Sequence, residues 1–348
     1  MFLEIKIVNL SSGEPIPPCE YLFKFMKTMR KMSIWAVLLM TVLSCAGGPH
    51  YATRAEKIMA EMNNPESDYV IVACHRGDWR NYPENSIPAI ESVIRMGADI
   101  MELDVKLTKD SVLVLSHDGN VRRCTNWKGE HGSGVDKQTL AEIKALKLKR
   151  AHGVTTDSLR MPTLEEAFLV CKDRIVINID QGFKYYDLIM PIAEKVGITK
   201  QLLIKGGNAV EYVNAKMNQY PEKMMYMPIV SPKVDSCKAL KSFIEAGKAN
   251  PADKPIAYEL CYGKECSPAD YQEAVDMVRA SGSRAWINTL WSSLSGVGYD
   301  DDAALEAYVK TGSPAPVYGE ILKTGASMIQ TDRPELLLNY LRSIGRHD

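Results

Sequence analysis

From Tyr69 onward the chain alternates short apolar runs with longer amphipathic segments. Runs near 69–74 (YVIVAC), 98–104, 112–117 (VLVLSH), 174–180 (RIVINID), 201–205 (QLLIK), 223–229 (KMMYMPI), 256–261, 284–290 (RAWINTL) and 327–331 (SMIQT) read as strands. The stretches between them carry helix signals. Asn85-Ser86 offers an N-cap to a helix whose Ile87, Ile90, Val93 and Ile94 share one face, with Pro88 in its first turn and Gly97 at its end. Thr163 and Glu166 have the spacing of a capping box, and 185–196, 209–217, 237–246, 268–280 and 334–341 complete the set. Strands alternating with helices predict an α/β fold with a parallel sheet, here a TIM-type (β/α)8 barrel. Nine strand candidates compete for eight places, so one is expected to be an extra strand or an extension.

One link breaks the alternation. Between Asp104 and Val112 there is no room for a crossover helix, which predicts an irregular second-to-third strand connection through an extended segment around Lys106–Asp110. Two insertions, 119–160 and 291–318, are expected on the loop face. Residues 46–68 read as a tether and a short helix with Ile58, Met59 and Met62 on one side, packing beneath the barrel that occupies 69–348.

Ahead of this pattern, residues 24–45 hold a basic cluster (Lys24, Lys27, Arg30, Lys31), an apolar run from Ile34 to Leu43, and Ser44-Cys45. The run is far shorter than the ~20 residues of a spanning helix, so 1–45 reads as a leader with an export signal. Val42-Leu43-Ser44-Cys45 resembles a bacterial lipobox with Cys45 as the lipidated residue. That predicts an exported lipoprotein, periplasmic or cell-surface, held to a membrane by an N-terminal lipid; an ordinary signal peptide and an uncleaved anchor are the alternatives. Residues 1–23 fit no signal, and Met26, Met29 and Met32 offer other starts.

Composition narrows the function. The chain is 46% hydrophobic with a net charge of −1, ordinary for a protein with a large core, and has no basic stretch interleaved with aromatics, which excludes a nucleic-acid surface. Five basic and three acidic residues fall in 1–45, so the remainder is mildly acidic. The cysteines are scattered and lack a CxxC motif, which argues against a zinc cluster; Cys261 and Cys266 are candidates for a loop disulfide.

In a parallel barrel, chemistry collects at the C-terminal ends of the strands. Those ends read His75-Arg76, Glu102 and Asp104, His117-Asp118, Asp180 and Lys205. Glu102 and Asp104 are two apart on a strand and share a face; with Asp180 they make an all-oxygen site for Ca²⁺ or Mg²⁺, the alternative being an ion pair with Arg76. His75 and His117 can act as base and acid flanking a phosphate, the alternatives being that one or both ligate metal or merely cap a strand. Arg76 suits a bidentate grip on that phosphate; Lys205 does the same or is a solvated strand-end lysine. Glu259 or Tyr258, whichever faces the lumen, is a substrate contact. Trp286, Asn288 and Trp291 either wall the pocket or belong to the core. Asn85 is expected chiefly as a cap, Asp300–Asp302 as a solvated helix start and Asp332 as a helix cap. His50, His131, His152 and His347 are expected at the surface.

These residues carry a resemblance. HRG (His75–Gly77), PEN (Pro83–Asn85), GADIMELDVKLTKD (Gly97–Asp110), VLSHD (Val114–Asp118), MPTLEEAF (Met161–Phe168) and GASMIQTDRPELL (Gly325–Leu337) resemble, in order, the glycerophosphodiester phosphodiesterase family. The resemblance implies a divalent metal and hydrolysis of a small-molecule glycerophosphodiester to glycerol 3-phosphate and an alcohol. His75 and His117 take the acid/base places, Arg76 a phosphate contact, and Glu102 with Asp104 the metal ligands. Where the family has Glu and, two residues on, Lys, this chain has Asp180 and Gly182, and the lysine is replaced by Lys184 or Lys205 or not at all. A metal-independent phospholipase C-like enzyme and a non-catalytic binding lipoprotein are the rival readings.

Overall fold

The computed structural model describes residues 50–348 except 130–131, 152, 233–236, 263–265 and 297. The leader and Cys45 lie outside the described residues. Among the described residues, no helix is long and apolar enough to cross a membrane.

Eight strands form the barrel: β1 (Ile71–Cys74), β2 (Ile100–Leu107), β4 (Val176–Asp180), β5 (Leu202–Gly206), β6 (Met225–Val230), β7 (Ala257–Leu260), β8 (Arg284–Asn288) and β9 (Met328–Thr331). They pair in parallel in the order β1-β9-β8-β7-β6-β5-β4-β2, and the β1–β2 pairing closes the cylinder. Around it run α2 (Ile87–Met96), α4 (Leu164–Cys171), α5 (Tyr186–Val196), α6 (Val210–Met217), α7 (Lys238–Ala249), α8 (Pro268–Ala280), α9 (Asp301–Thr311), α10 (Ala315–Lys323) and α11 (Pro334–Ser343). The (β/α)8 expectation therefore holds.

Local signals set the helix ends. Ser86 accepts from the Ala89 N–H at the start of α2, and Gly97 at φ 83° ends it. Thr163 and Glu166 close a capping box on α4, as do Ser267 and Asp270 on α8.

The ninth strand is β3 (Leu113–Leu115), which pairs antiparallel with β2 (Val105↔Leu115, Leu107↔Leu113). This corrects the expected connection. Instead of returning through an extended segment, β2 runs on to Leu107, the chain turns tightly through Thr108–Ser111, and β3 doubles back. A hairpin needs only a short turn, so no crossover is required. His117 consequently follows a strand that runs down toward the barrel rim, not one that climbs to it.

Side chains of alternate strand residues point inward. Ile71, Ala73, Ile100, Val176, Leu203, Met227, Ala257, Trp286 and Met328 fill the lower lumen. Ile58 and Met62 of α1 (Arg54–Met62) join the same cluster, each about 1% exposed, so α1 stoppers the N-terminal mouth. Arg284 fastens it by donating to the Glu61 and Asn64 carbonyls at 2.7 Å and to that of Tyr69 at 3.0 Å. His347, expected at the surface, is buried here, bonded through Nε2 to Asp99 Oδ2 and the Tyr69 hydroxyl at 2.9 Å.

The 119–160 insertion carries its own core, in which Val121, Val135, Ile143 and Leu148 pack with Met161 on Val114 of β3, and includes α3 (Leu140–Ala145). The 291–318 insertion is partly helical, holding α9 and the start of α10. Cys261 and Cys266 are free thiols, so the loop disulfide is absent.

Candidate active site

Continuing the inward alternation upward from the apolar layers gives His75, Glu102 and Asp104, Asn178 and Asp180, Lys205, Glu259, Asn288 and Asp332 at the C-terminal mouth. Glu102, Asp104 and Asp180 each bring a carboxylate oxygen within 4.8 Å of the others. Register explains this: Glu102 pairs with Asn178 and Asp104 with Asp180 across the β2–β4 seam.

The turn after β1 is shaped to serve the cluster. Arg76 at φ 54° and Gly77 at φ 75° are both left-handed, and a side chain at Gly77 would press on Ala89 at 3.0 Å. This conformation aims the Arg76 N–H at Glu102 Oε2 (2.7 Å) and leaves its Nε 3.7 Å from Asp104 Oδ2. Asn85 clamps Asp104 at two points: its amide donates to Oδ2 at 2.9 Å, and its oxygen accepts the Asp104 N–H at 3.1 Å. Ser86 alone caps α2, so Asn85 belongs to the site rather than to the cap.

Burial and the neighbouring Asp104 push the Glu102 carboxyl well above its ordinary range. Such stacked, desolvated acids want a cation. Burial also opposes charge on Asp180, but Lys205 outweighs it, both histidines add to the pull, and the carboxyl titrates below its usual range. Both imidazoles thus stand near enough to Asp180 to act on its charge.

Each imidazole is held at the same atom. His75 Nδ1 lies 2.8 Å from Asp332 Oδ1, which also accepts from Trp79 Nε1 at 2.6 Å. His117 Nδ1 lies 2.8 Å from Asp118 Oδ1. The hairpin explains how His117 arrives: the Ser116 N–H donates to the Asp104 carbonyl at 3.0 Å, so the returning strand sets it down beside the carboxylates. Asp118, with Arg123 its main partner, is held at about 2.

Asp332 is the residue that local reading misplaced. Arg333, not Asp332, stands at the α11 N-cap, and the Asp332 carboxylate faces His75. Its signal was its place directly after a barrel strand, as His75 directly follows β1. Behind it, Asp301 accepts from Thr289, Tyr318 and Thr331 hydroxyls and from the Asp332 N–H at 2.7 Å. Asp301 is buried and pushed up to about 6, unlike the exposed Asp302 of the same run.

Lys205, Glu259 and Trp286 form the layer below. Lys205 Nζ sits 3.2 Å from Asp180 Oδ1 and 3.1 Å from Glu259 Oε2, and 5.3 Å from the Trp286 ring centre. Burial alone would lower its pKa, but Glu259, Asp180 and Glu102 raise it. The ammonium is committed to two carboxylates, neither solvated at a strand end nor free to grip a phosphate. Glu259 also accepts from Asn288 at 2.7 Å, and Trp286, with no exposed surface, donates to Asn288 at 2.9 Å. Trp286 is therefore under the floor of the site, not in its wall. Lys184 is exposed on the turn beyond β4, where Gly182 packs so closely that a Cβ would meet Ile179 at 2.5 Å.

Residues 75–203 match the model of the glycerophosphoryl diester phosphodiesterase family, and residues 226–341 match a domain of unknown function. A glycerophosphodiester phosphodiesterase of Caldanaerobacter subterraneus subsp. tengcongensis is 43% identical over 111 residues, covering 32% of this chain and 44% of that protein. Glycerophosphodiester phosphodiesterase 1 of Mus musculus is 34% identical over 106 residues, covering 30% and 31%. The chain thus spans less than half the length of these curated relatives. The fold is shared with a crystal structure of a glycerophosphoryl diester phosphodiesterase from Parabacteroides distasonis (TM-score 0.63, 22% identity, 84% of this chain and 93% of that one). It is also shared with an Oleispira antarctica phosphodiesterase in complex with the product sn-glycerol-3-phosphate (TM-score 0.54, 18% identity, 80% and 99%). The matched stretch, residues 75–203, holds His75, His117 and all three clustered carboxylates, so the similarity to the glycerophosphoryl diester phosphodiesterase family falls on the candidate site itself.

Proposed function

We propose that the protein is a metal-dependent phosphoric diester hydrolase that cleaves glycerophosphodiesters to glycerol 3-phosphate and an alcohol. One observation carries the reading: two imidazoles, each tied at Nδ1 to a carboxylate, stand at the same barrel mouth as three carboxylates grouped within 4.8 Å.

The donor set fits a hard cation, because all three groups offer oxygen and burial, with Asp104 alongside, raises the Glu102 carboxyl. Glu102, Asp104 and Asp180 would hold Ca²⁺ or Mg²⁺, which when bound supplies positive charge toward the phosphate oxygens. The chain's own residues do the rest. Arg76 offers its guanidinium to the same oxygens. With a carboxylate at Nδ1, each imidazole keeps its proton there and presents Nε2 as the working atom. One histidine takes the proton of the attacking hydroxyl and the other gives a proton to the leaving alcohol oxygen; water as the attacker yields glycerol 3-phosphate directly, whereas attack by the glycerol 2-hydroxyl yields a cyclic phosphate that water then opens with the two histidines in exchanged roles. Asp332 and Asp118 hold the rings in register with the cluster.

The test is turnover of glycerophosphocholine, -ethanolamine, -glycerol and -inositol with Ca²⁺, Mg²⁺ or EDTA. Release of glycerol 3-phosphate that EDTA abolishes is the expected result. EDTA-insensitive release would favour a metal-independent enzyme, for which the internal cation Lys205 beside Asp180 is the supporting observation. Binding without turnover would leave a non-catalytic receptor. The reading includes export and lipidation at Cys45, supported by residues 24–45 alone; a lipid mass on Cys45 tests it.

A further inference from the structure

The second histidine is held by a device that reaches beyond its own aspartate. Arg123 comes from the start of the 119–160 insertion, where Val121 is buried in that segment's core and the Thr125 hydroxyl ties back to the Val121 carbonyl at 2.6 Å. Its guanidinium makes two forked pairs. Nε and one terminal nitrogen take Asp118 Oδ2 and Oδ1 at 2.8 and 3.1 Å, and the two terminal nitrogens take Glu84 Oε2 and Oε1 at 2.5 and 2.8 Å. Glu84 in turn lies 3.4 Å from Arg76. His117, Asp118, Arg123, Glu84 and Arg76 therefore form one chain of contacts across the mouth.

We propose that Arg123 is a positioning residue: it locks Asp118 against His117 Nδ1 and, through Glu84, sets the Arg76 guanidinium, coupling the proton-transfer group to the phosphate-binding group. The proposal rests on the functional reading above. The geometry favours orientation over stability, because the Arg123 side chain is 49% exposed and the His117 side chain 44% exposed. Exposed ion pairs contribute little to folding, whereas an aspartate free to rotate would release the ring. Planarity matters as well as charge, since a lysine reaches one carboxylate oxygen at a time and cannot fork to two carboxylates at once.

The experiment compares wild type with Arg123→Gln and Arg123→Lys in turnover, thermal melting and ring-nitrogen NMR of His117. A misaligned group costs roughly 10² in rate. Arg123→Gln should lower kcat by roughly 10- to 10²-fold with KM little changed and Tm nearly unchanged, and Arg123→Lys should recover part of the loss. The Nδ1–H tautomer of His117 should dominate in wild type and mix with the other tautomer in Arg123→Gln. Unchanged kcat, a rise in KM alone, or an undisturbed tautomer would overturn the proposal. If Arg123→Gln fails to fold, the same readouts on Arg123→Lys and Asp118→Asn decide it. A wild type without turnover would instead defeat the functional reading, while the tautomer would still report on Arg123.

Discussion

The two mouths of this barrel are made from the two ends of the same strands, and they obey opposite rules. At the N-terminal mouth, Ile58 and Met62 close an apolar stack, and buried polar groups there, Arg284 and His347, have their partners. At the C-terminal mouth, like charges are stacked against each other and one carboxyl is forced well above its ordinary range. The first arrangement lowers the free energy of the fold, and the second raises it in exchange for what the proposed function makes a site for a cation and a phosphate. Stability and chemistry are thus separated along the barrel axis.

The strongest way to break that division is at the histidines. His75→Ala and His117→Ala are each expected to lower kcat on a glycerophosphodiester by ~10²–10⁴-fold with little change in Tm. A full-rate variant would empty the C-terminal mouth of its assigned role. At the opposite mouth, Ile58→Ala or Met62→Ala should cost about 2–5 kcal/mol in urea unfolding and leave kcat per folded molecule unchanged. An altered kcat with unaltered stability would show that the two mouths are not independent.

A subtler contrast concerns the acids themselves. Glu102→Gln replaces an acid whose charged form burial and Asp104 disfavour, so the metal-free protein should melt at a higher temperature than wild type. Wild type should gain about 2.7 kcal/mol from Ca²⁺ or Mg²⁺ at 100 times its Kd, and the variant should not. Differential scanning fluorimetry with and without cation reads both effects. The smallest expected effect lies at Asp301. Its carboxyl is pushed up to about 6 by burial, against an unfolded value near ~3.9. The folded state therefore holds a proton that the unfolded chain has already lost, and stability should fall as pH rises from about 4 to about 6. Asp301→Asn should flatten that part of the Tm–pH curve.

What could be read without coordinates was whatever is local. Caps at Ser86 and Thr163, the terminator Gly97 and the apolar strand runs are set by neighbours a few residues away, and each is where the pattern placed it. The grouping of Glu102, Asp104 and Asp180 followed from strand ends. The contacts that could not be read join distant segments: His75 to Asp332 across 257 positions and His347 to Asp99 across 248. Asp301 stands in a run of three aspartates, of which it alone is buried behind Asp332, a distinction made by packing. Lys205 and Trp286 were legible as inward-facing, but their depth in the lumen depends on how the strands stagger. The direction of β3 escaped because a strand's sequence carries no arrow.

That hairpin also acts as a ruler. The turn Thr108–Ser111 sets how far β2 overshoots the rim and where β3 comes back, and Val105↔Leu115 pairing is what lands His117 beside Asp104. A strand alternates faces at every residue, so one residue gained or lost in that turn would rotate His117 to the far side of its strand while every ligand of the cluster stayed in place. The spacing of His117 from Asp104 is therefore stored as a length of backbone, and Arg123, at the start of the 119–160 segment, follows closely on the same hairpin.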